Sequence, residues 1–208
     1  MKRRSSTLKA LAKLLLHEKS LSRSGYKTIA GVDEAGRGPL AGPVVAGAVI
    51  VKDFHFKERI DDSKKLTAKK REKAYREIFE KCDVGIGIVD EKIIDRINIY
   101  QATKTAMQIA ISNLKIPPDY VIVDGKMKIT TRCPIKCIIG GDSKSISIAA
   151  ASIIAKVTRD RMMVEYDKQY PQYEFARHKG YGTKAHIEAL KNHGPSPIHR
   201  FSFHPIKK

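Results

Sequence analysis

Five short apolar runs, set apart by charged segments of helical pattern, constrain the fold of this chain more than any other feature. The run Pro43–Val51 is continuous and rich in β-branched residues, which is typical of a strand buried in a sheet. The predicted strands are 26–32, 43–51, 83–89, 120–123 and 135–139. Three strands come early and the later ones alternate with helices, which predicts a layered α/β fold with a mixed sheet rather than an all-parallel one.

Helical patterns occupy the segments between and after these strands. Thr67 is a predicted N-cap for a helix over 68–81, and Asn98 for a helix over 99–114. The segment 145–169 is apolar or small through its centre, which predicts a helix that lies against the sheet and is covered on several sides. A last helix is predicted over 183–192, so the C-terminal region is expected to be helical.

The chain is predicted to form one α/β domain, residues 26–208, preceded by a basic N-terminal extension, residues 1–25. Leucines at 8, 11, 14 and 15 follow helical spacing, and the residues 20–25 are predicted to be a linker. The extension either packs on the domain or adds affinity for nucleic acid. No run reaches the ~18 to 20 apolar residues that a membrane span requires, so we expect no membrane contact and a cytoplasmic location.

The charge balance points to a polyanionic partner. The 208 residues include 40 Lys and Arg against 22 Asp and Glu, which leaves a formal net charge of +18. Such an excess favours contacts with a phosphate backbone, although it does not distinguish a nuclease from a ribosomal or DNA-binding protein. Cys82, Cys133 and Cys137 match no zinc-site spacing and are predicted to be buried reduced thiols.

Four acidic residues stand where carboxylates with a purely structural role are least expected. Asp33 and Glu34 follow the first predicted strand, Asp124 ends the fourth, and Asp142 comes shortly after the fifth. Carboxylates at the ends of neighbouring strands gather at one edge of a sheet, and crowded carboxylates need a compensating cation. Oxygen ligands of this kind favour magnesium or manganese over zinc. Spacing alone does not establish that all four converge.

Each of these residues also has a structural explanation. Asp142 is well placed to be the N-cap of the following helix, and Asp124 with Gly125 forms a common turn pair. Adjacent residues of a strand point to opposite faces, so Asp33 and Glu34 share a side only if the strand breaks between them.

The segment Gly36-Arg37-Gly38 has two interpretations. It is either a plain turn or a recognition loop in which the glycines let backbone groups approach a sugar or phosphate. The spacing lacks both the dinucleotide-binding pattern and the P-loop lysine, which argues against a nucleotide cofactor.

These segments resemble, in order, the motifs of bacterial ribonuclease HII. The resemblance covers about residues 27–203, and its length and specificity make chance an implausible explanation. The matching motifs are Gly31–Val45, Asp62–Leu66, Val121–Gly125, Gly141–Ser145, Ile148–Asp160, His178–Thr183 and His199–Phe203. It implies a ribonuclease H-like mixed five-stranded sheet flanked by helices, with a C-terminal helical region.

The resemblance implies a catalytic tetrad of Asp33, Glu34, Asp124 and Asp142 that holds two divalent ions, Mg²⁺ or Mn²⁺, at the scissile phosphate. The substrates it implies are RNA–DNA hybrids and duplex DNA with embedded ribonucleotides, cut on the 5′ side of the ribonucleotide. The products would carry 5′-phosphate and 3′-hydroxyl ends, and the enzyme is expected to be a monomer.

The resemblance also assigns substrate contacts. Gly36, Arg37 and Gly38 match the loop that reads the ribose 2′-hydroxyl, and Tyr181 matches the tyrosine that stacks on the sugar of the following deoxynucleotide. The further substrate-binding residues, most of them expected to contact phosphates, are Ser63, Lys64, Lys65, Lys144 and Arg200. An aspartate as the fourth acidic residue and a short extension favour the HII type over ribonuclease HIII.

Two rival functions remain on sequence grounds. One is another nuclease of the same fold, such as a junction resolvase, against which the Gly-Arg-Gly segment and the motif around Tyr181 argue. The other is a basic, non-catalytic nucleic-acid-binding protein, which would gain nothing from four carboxylates facing a polyanion.

Overall fold

The structure, a computed structural model, describes residues 14–206. Its strands are β1 (Ile29–Ala35), β2 (Val44–Val51), β3 (Cys82–Val89), β4 (Tyr120–Asp124) and β5 (Ile135–Ile138). They form one sheet in the order β3-β2-β1-β4-β5. The β1–β2 and β2–β3 pairs are antiparallel, whereas β1–β4 and β4–β5 are parallel. The predicted mixed five-stranded sheet is confirmed.

Helices flank this sheet and continue beyond it. They are α1 (Leu16–Arg23), α2 (Ala68–Lys81), α3 (Glu91–Ser112), α4 (Ile146–Gln169), α5 (Phe175–His178) and α6 (Lys184–His193). Thr67 caps α2 as predicted, since its hydroxyl accepts from the backbone N–H of Lys70 at 3.4 Å. Within residues 14–206 no helix is both long and apolar enough to cross a membrane.

Glycines in the strands let α3 and α4 approach opposite faces of the sheet. A Cβ on Gly87 would lie 1.9 Å from the carbonyl oxygen of Ala106 in α3. A Cβ on Gly31 would lie 2.2 Å from the backbone carbon of Ser147 in α4. The central strand β1 is therefore held in close contact with the N-terminal end of α4, next to the predicted acidic residues.

Helix α3 is longer than the sequence predicts. It begins at Glu91, with Asp90 as its N-cap accepting from Ile93 N–H at 2.8 Å. Asn98 interrupts it with φ +67°, and the Asn98 side chain accepts from the N–H groups of Tyr100 and Gln101. Asn98 thus caps the second segment as predicted, but the helical turns over 91–97, whose isoleucines at 93, 94 and 97 follow helical spacing, were not predicted.

The predicted linker over 20–25 is wrong, because α1 extends through Arg23. Part of the predicted leucine helix, including Leu8 and Leu11, lies outside the described residues. Glu18 anchors α1 to α4: it is buried, and its Oε1 accepts from Ser145 Oγ at 2.6 Å and from Ser147 N–H at 3.1 Å.

The cysteines are free thiols, as predicted. Only Cys82 is buried, whereas Cys133 and Cys137 are half-buried, so the expectation of burial is correct for one of the three.

Candidate active site

Strand β1 carries Asp33 and Glu34 past the end of its parallel neighbour. Its pairing with β2 continues to Ala35, opposite Val45, but its pairing with β4 ends where Val32 meets Val123. Asp33 and Asp124 therefore follow matched residues on adjacent parallel strands. The strand predicted over 26–32 extends to Ala35, because the antiparallel ladder with β2 keeps the backbone extended, and it does not break at Asp33 and Glu34.

The two adjacent carboxylates lie on opposite faces of the sheet, as strand geometry requires. Asp33 is buried, its Oδ1 accepts from the N–H of Glu34 at 2.8 Å, and a hydrogen bond from Ser152 of α4 lowers its pKa. Glu34 on the other face forms a 3.2 Å ion pair with Arg37. Burial is the largest cause that raises the pKa of each carboxyl, well above the usual range for Asp33.

Asp124 is tied to the turn that carries Asp142. The Oδ1 atom of Asp124 accepts from the backbone N–H of Gly141 at 2.6 Å. The N-cap of α4 is Ser145, whose hydroxyl accepts from Ile148 N–H at 3.2 Å, so the interpretation of Asp142 as a helix cap is wrong. Burial raises the pKa of Asp142, and the charges of Asp62 and Asp124 raise it further.

Asp124 connects the four acidic residues electrostatically. Its negative charge contributes to raising the pKa of Asp33, of Glu34 and of Asp142. The acidic residues of β1, β4 and the 141–143 turn therefore lie at one edge of the sheet and influence one another's charge. The convergence that spacing left open follows from the parallel pairing of β1 with β4 and from the Asp124–Gly141 hydrogen bond.

The donor set of this cluster fits a hard divalent cation. All four side chains offer oxygen, and a bound cation would relieve their mutual repulsion. Across residues 14–206, no set of three or more His, Cys, Asp or Glu is already arranged to hold a metal ion. Glu34 is paired with Arg37 and Asp124 with a backbone N–H, so these carboxylates would have to turn towards a shared ion.

Arg200 is not exposed for contact with a phosphate, contrary to the sequence prediction. Its side chain is fully buried, and its guanidinium donates to backbone carbonyls of the loop that follows β1. The acceptors are the oxygens of Gly36 at 2.6 Å, Arg37 at 3.1 Å, Pro39 at 2.8 Å and Gly42 at 2.7 and 2.9 Å. Arg200 therefore shapes the Gly-Arg-Gly loop from beneath.

A second buried guanidinium, missed by sequence reasoning, supports the same loop. Arg159 of α4 donates to the carbonyls of Ala41, Pro43 and Lys179, each at 2.9 Å. Burial lowers the pKa of Arg159 to about 10 and that of Arg200 to about 9, with Arg159 a further cause for Arg200. An arginine within the apolar pattern of α4 was the only available signal.

Tyr181 lies beside the Gly-Arg-Gly loop. A Cβ placed on Gly38 would be 3.8 Å from Cε1 of Tyr181, whose ring is 46% exposed. A hydrogen bond of 2.8 Å from Leu40 N–H to Gly180 O joins the two segments. Two features that are about 140 positions apart in the sequence, the loop and the tyrosine, thus form one exposed surface next to the acidic cluster.

The remaining predicted contacts divide into exposed and buried residues. Lys64 and Lys144 are exposed. The charges of Lys64 and Lys65 lower the pKa of Asp142, so the turn over Ser63–Lys65 lies near the acidic residues. Ser63 is buried and its Oγ lies 3.0 Å from Ser152 Oγ. The prediction of Ser63 as a direct substrate contact is therefore wrong. Ser63 instead contacts Ser152, which in turn forms a hydrogen bond with Asp33.

Carboxylates gathered where two parallel strands end, on a mixed five-stranded sheet, define a nuclease of the ribonuclease H fold. The crystal structure of ribonuclease H2 from Pyrococcus horikoshii superimposes with a TM-score of 0.74 at 27% identity, covering 86% of this chain and 95% of that one.

Sequence comparisons give the family within this class. The family model described as ribonuclease HII matches residues 30–206. The ribonuclease HII of Acetivibrio thermocellus is 58% identical over 91% of this chain and 75% of its own length. That of Geobacter metallireducens is 54% identical over 92% of this chain and 90% of its own. The chain belongs to the ribonuclease HII family and is an endoribonuclease of the ribonuclease H class.

Proposed function

We propose that this protein is a divalent-metal-dependent endonuclease that cuts RNA–DNA hybrids and cuts duplex DNA on the 5′ side of an embedded ribonucleotide. The observation that carries this proposal is that the loop directly after Asp33 and Glu34 contacts both parts of the site: its Arg37 pairs with Glu34, and its Gly38 lies against Tyr181. The acidic residues would hydrolyse the phosphodiester, and the loop with Tyr181 would contact the sugars on either side of an RNA-to-DNA step.

Asp33, Glu34, Asp124 and Asp142 are the residues that would hold the ions. When bound, the divalent ions would promote attack by water on the phosphorus and stabilise the leaving 3′ oxygen. The bond from phosphorus to the 3′ oxygen breaks, the 3′ oxygen takes a proton, and the ribonucleotide keeps its 5′-phosphate. The chain's contribution is positional: Glu34 N–H and Ser152 orient Asp33, and Gly141 N–H orients Asp124.

The loop after β1 is suited to recognise the ribose 2′-hydroxyl through backbone groups. Arg159 and Arg200 bind its carbonyls from the protein side and fix its shape in advance. The 2′-hydroxyl is the group that separates RNA from DNA, and a site that pairs buried polar groups with it rejects a deoxynucleotide by about 10⁴–10⁵. Tyr181 would stack on the next sugar and favour a deoxynucleotide there.

Cleavage of a DNA duplex with one ribonucleotide tests this proposal. With Mg²⁺ or Mn²⁺ we expect a single cut on the 5′ side of the ribonucleotide, with 5′-phosphate and 3′-hydroxyl ends, and no cut in the matched all-DNA duplex. D33N should still bind the duplex but lose about a thousandfold in cleavage, because a carboxylate ligand worth several kcal/mol in the transition state is removed.

The rival functions give different results in the same assay. A junction resolvase would leave the ribonucleotide duplex intact and cut a branched DNA. A non-catalytic binding protein would bind all these duplexes and cut none, and unchanged cleavage by D33N would remove Asp33 from the site.

A further inference from the structure

Three buried histidines lie directly behind Tyr181, and the proposed reaction does not use them. His178, at the end of α5, and His186, in α6, stack with ring centroids 4.4 Å apart. His199, in the C-terminal segment, places its Nε2 atom 2.9 Å from Nε2 of His186. The exposed fractions of the three side chains are 8%, 0% and 0%, so their hydrogen bonds must be satisfied within the protein.

Backbone groups at both ends fix which nitrogen of each ring carries the proton. His199 Nδ1 accepts from the backbone N–H of Ser196 at 2.8 Å and lies 2.8 Å from the Ser196 hydroxyl, which can also donate, so the proton of His199 is on Nε2. His186 Nδ1 lies 2.9 Å from the carbonyl oxygen of Tyr181, which can only accept, so the proton of His186 is on Nδ1. The central contact then has one donor, His199 Nε2–H, and one acceptor, His186 Nε2.

The hydrogen bonds therefore form a directed relay from Ser196 through His199 and His186 to the carbonyl of Tyr181. His178 binds the residue before Tyr181: the Nδ1 of His178 accepts from Gly180 N–H at 3.2 Å, and its Nε2 lies 2.7 Å from the carbonyl oxygen of Tyr173. The N–H of Gly180 and the carbonyl of Tyr181, on either side of the peptide that joins these two residues, are thus both bound by imidazoles.

We propose that His186 and His199 are positioning residues that orient Tyr181 towards the sugar on the 3′ side of the ribonucleotide. This inference rests on the proposed function, because it assigns the relay to the recognition step of that reaction. The geometry favours it over a general packing role, since the relay ends on the backbone of Tyr181, an exposed aromatic residue in contact with the Gly-Arg-Gly loop.

The relay requires neutral rings. A second proton on His199 would place its Nδ1–H against the backbone N–H of Ser196. A second proton on His186 would place its Nε2–H against the Nε2–H of His199. Burial lowers the pKa of His186 and of His199, the latter to about 4, and the neighbouring histidines lower both further. Around His178, Glu174 and Asp167 raise the pKa and Lys179 lowers it, while burial, the largest cause, lowers it.

Nitrogen-resolved NMR of the imidazoles tests the relay without reference to activity. We expect His186 as the Nδ1–H tautomer and both His178 and His199 as the Nε2–H tautomer at pH 7.5. An Nε2–H signal for His186, or an Nδ1–H signal for His199, would overturn the proposed direction.

Kinetics on a duplex with one RNA–DNA junction test the role of the relay. H186L removes one of the two donors to the Tyr181 carbonyl and leaves Thr183 N–H, 2.8 Å away, as the other. It should raise KM about tenfold, the effect of one buried hydrogen bond, with a smaller change in kcat. H186N keeps an N–H donor near the Nδ1 position and should restore most of the KM. The matched control is H193N, at an exposed histidine of the same helix, which should behave as the wild type.

A double-mutant cycle with Y181A separates positioning from general packing. If His186 acts through the Tyr181 ring, H186L should raise KM no further in the Y181A background. Multiplicative effects of the two changes, or an unchanged KM in a folded H186L protein, would overturn the inference. Failure of the proposed function looks different, because the wild-type enzyme itself would then leave the junction duplex uncut.

Discussion

Arg159 and Arg200 are the residues on which the shape of the Gly-Arg-Gly loop depends. Both are buried, and both direct guanidinium N–H groups at carbonyls of residues 36–43. A guanidinium presents its donors in a fixed planar fork, which suits several carbonyls of one curved backbone segment. In sequence an arginine near a nuclease motif resembles a phosphate contact, because the pattern does not reveal where its donors point.

Replacing Arg200 by lysine should therefore be costly despite the conserved charge. An ammonium group cannot reach the carbonyls of Gly36, Pro39 and Gly42 together, so buried acceptors lose their partners. We expect R200K to lower the free energy of unfolding by about 3 kcal/mol, measured by chemical denaturation.

The control for this experiment is R177K, since Arg177 is exposed and pairs only with Glu174 at the surface. That variant should stay within about 0.5 kcal/mol of the wild type. Equal stability of the two variants would show that the hydrogen bonds of the buried Arg200 guanidinium contribute little to the free energy of unfolding.

At the scale of elements, sequence patterns predicted the type of the five strands and of the longer helices better than their ends, and they missed the short helix α5. Strand β2 follows from its run of β-branched residues, and the cap of α2 from Thr67. The end of β1 did not follow, because its last residues are acidic and small. They remain extended through pairing with β2, and a local sequence pattern does not reveal that pairing.

The same limit applies to the candidate site. The four carboxylates were identified from their motifs, whereas their grouping depends on the parallel pairing of β1 with a strand about 90 residues later in the chain. The histidine relay was not predicted, because it joins His186 and His199 through a contact between ring nitrogens.

Helix α3 lies so close to β3 that neither Gly85 nor Gly87 leaves room for a side chain. A methyl group on Gly87 would lie 1.9 Å from the carbonyl oxygen of Ala106, and a helix backbone cannot yield locally. We expect G87A to lower the free energy of unfolding by about 1–3 kcal/mol, as overpacking does elsewhere, when measured by urea denaturation.

G38A provides the comparison, since the nearest atom to its added methyl group would be 3.8 Å away. Its unfolding free energy should remain near that of the wild type. A similar loss in both variants would point to a backbone effect of alanine rather than to the contact between α3 and β3.

For the whole molecule, the formal charge of +18 should appear as a salt dependence of substrate binding. Each phosphate neutralised on a B-form duplex contributes a slope of about −0.9 to log K against log salt concentration. Binding of the D33N protein to a ribonucleotide duplex, followed by fluorescence anisotropy between low and moderate salt, should give a steep line.

One lysine at the site should change that slope. K64A should reduce its magnitude by about one phosphate contact, because Lys64 lies close enough to Asp142 to lower its pKa. K168A should leave it unchanged, since Lys168 is paired with Glu165 at the end of α4. A flat salt response would mean that the excess positive charge does not face the substrate.

The contact between Arg200 and the loop after β1 also sets an order of events during synthesis. Arg37 and Arg200 are 163 positions apart, so the loop and its support leave the ribosome at very different times. A nascent chain that has emerged only to residue 150 already contains the four carboxylates but neither buried arginine nor Tyr181. The proposed selectivity for RNA would thus be acquired last, when Arg200 binds the loop that follows β1.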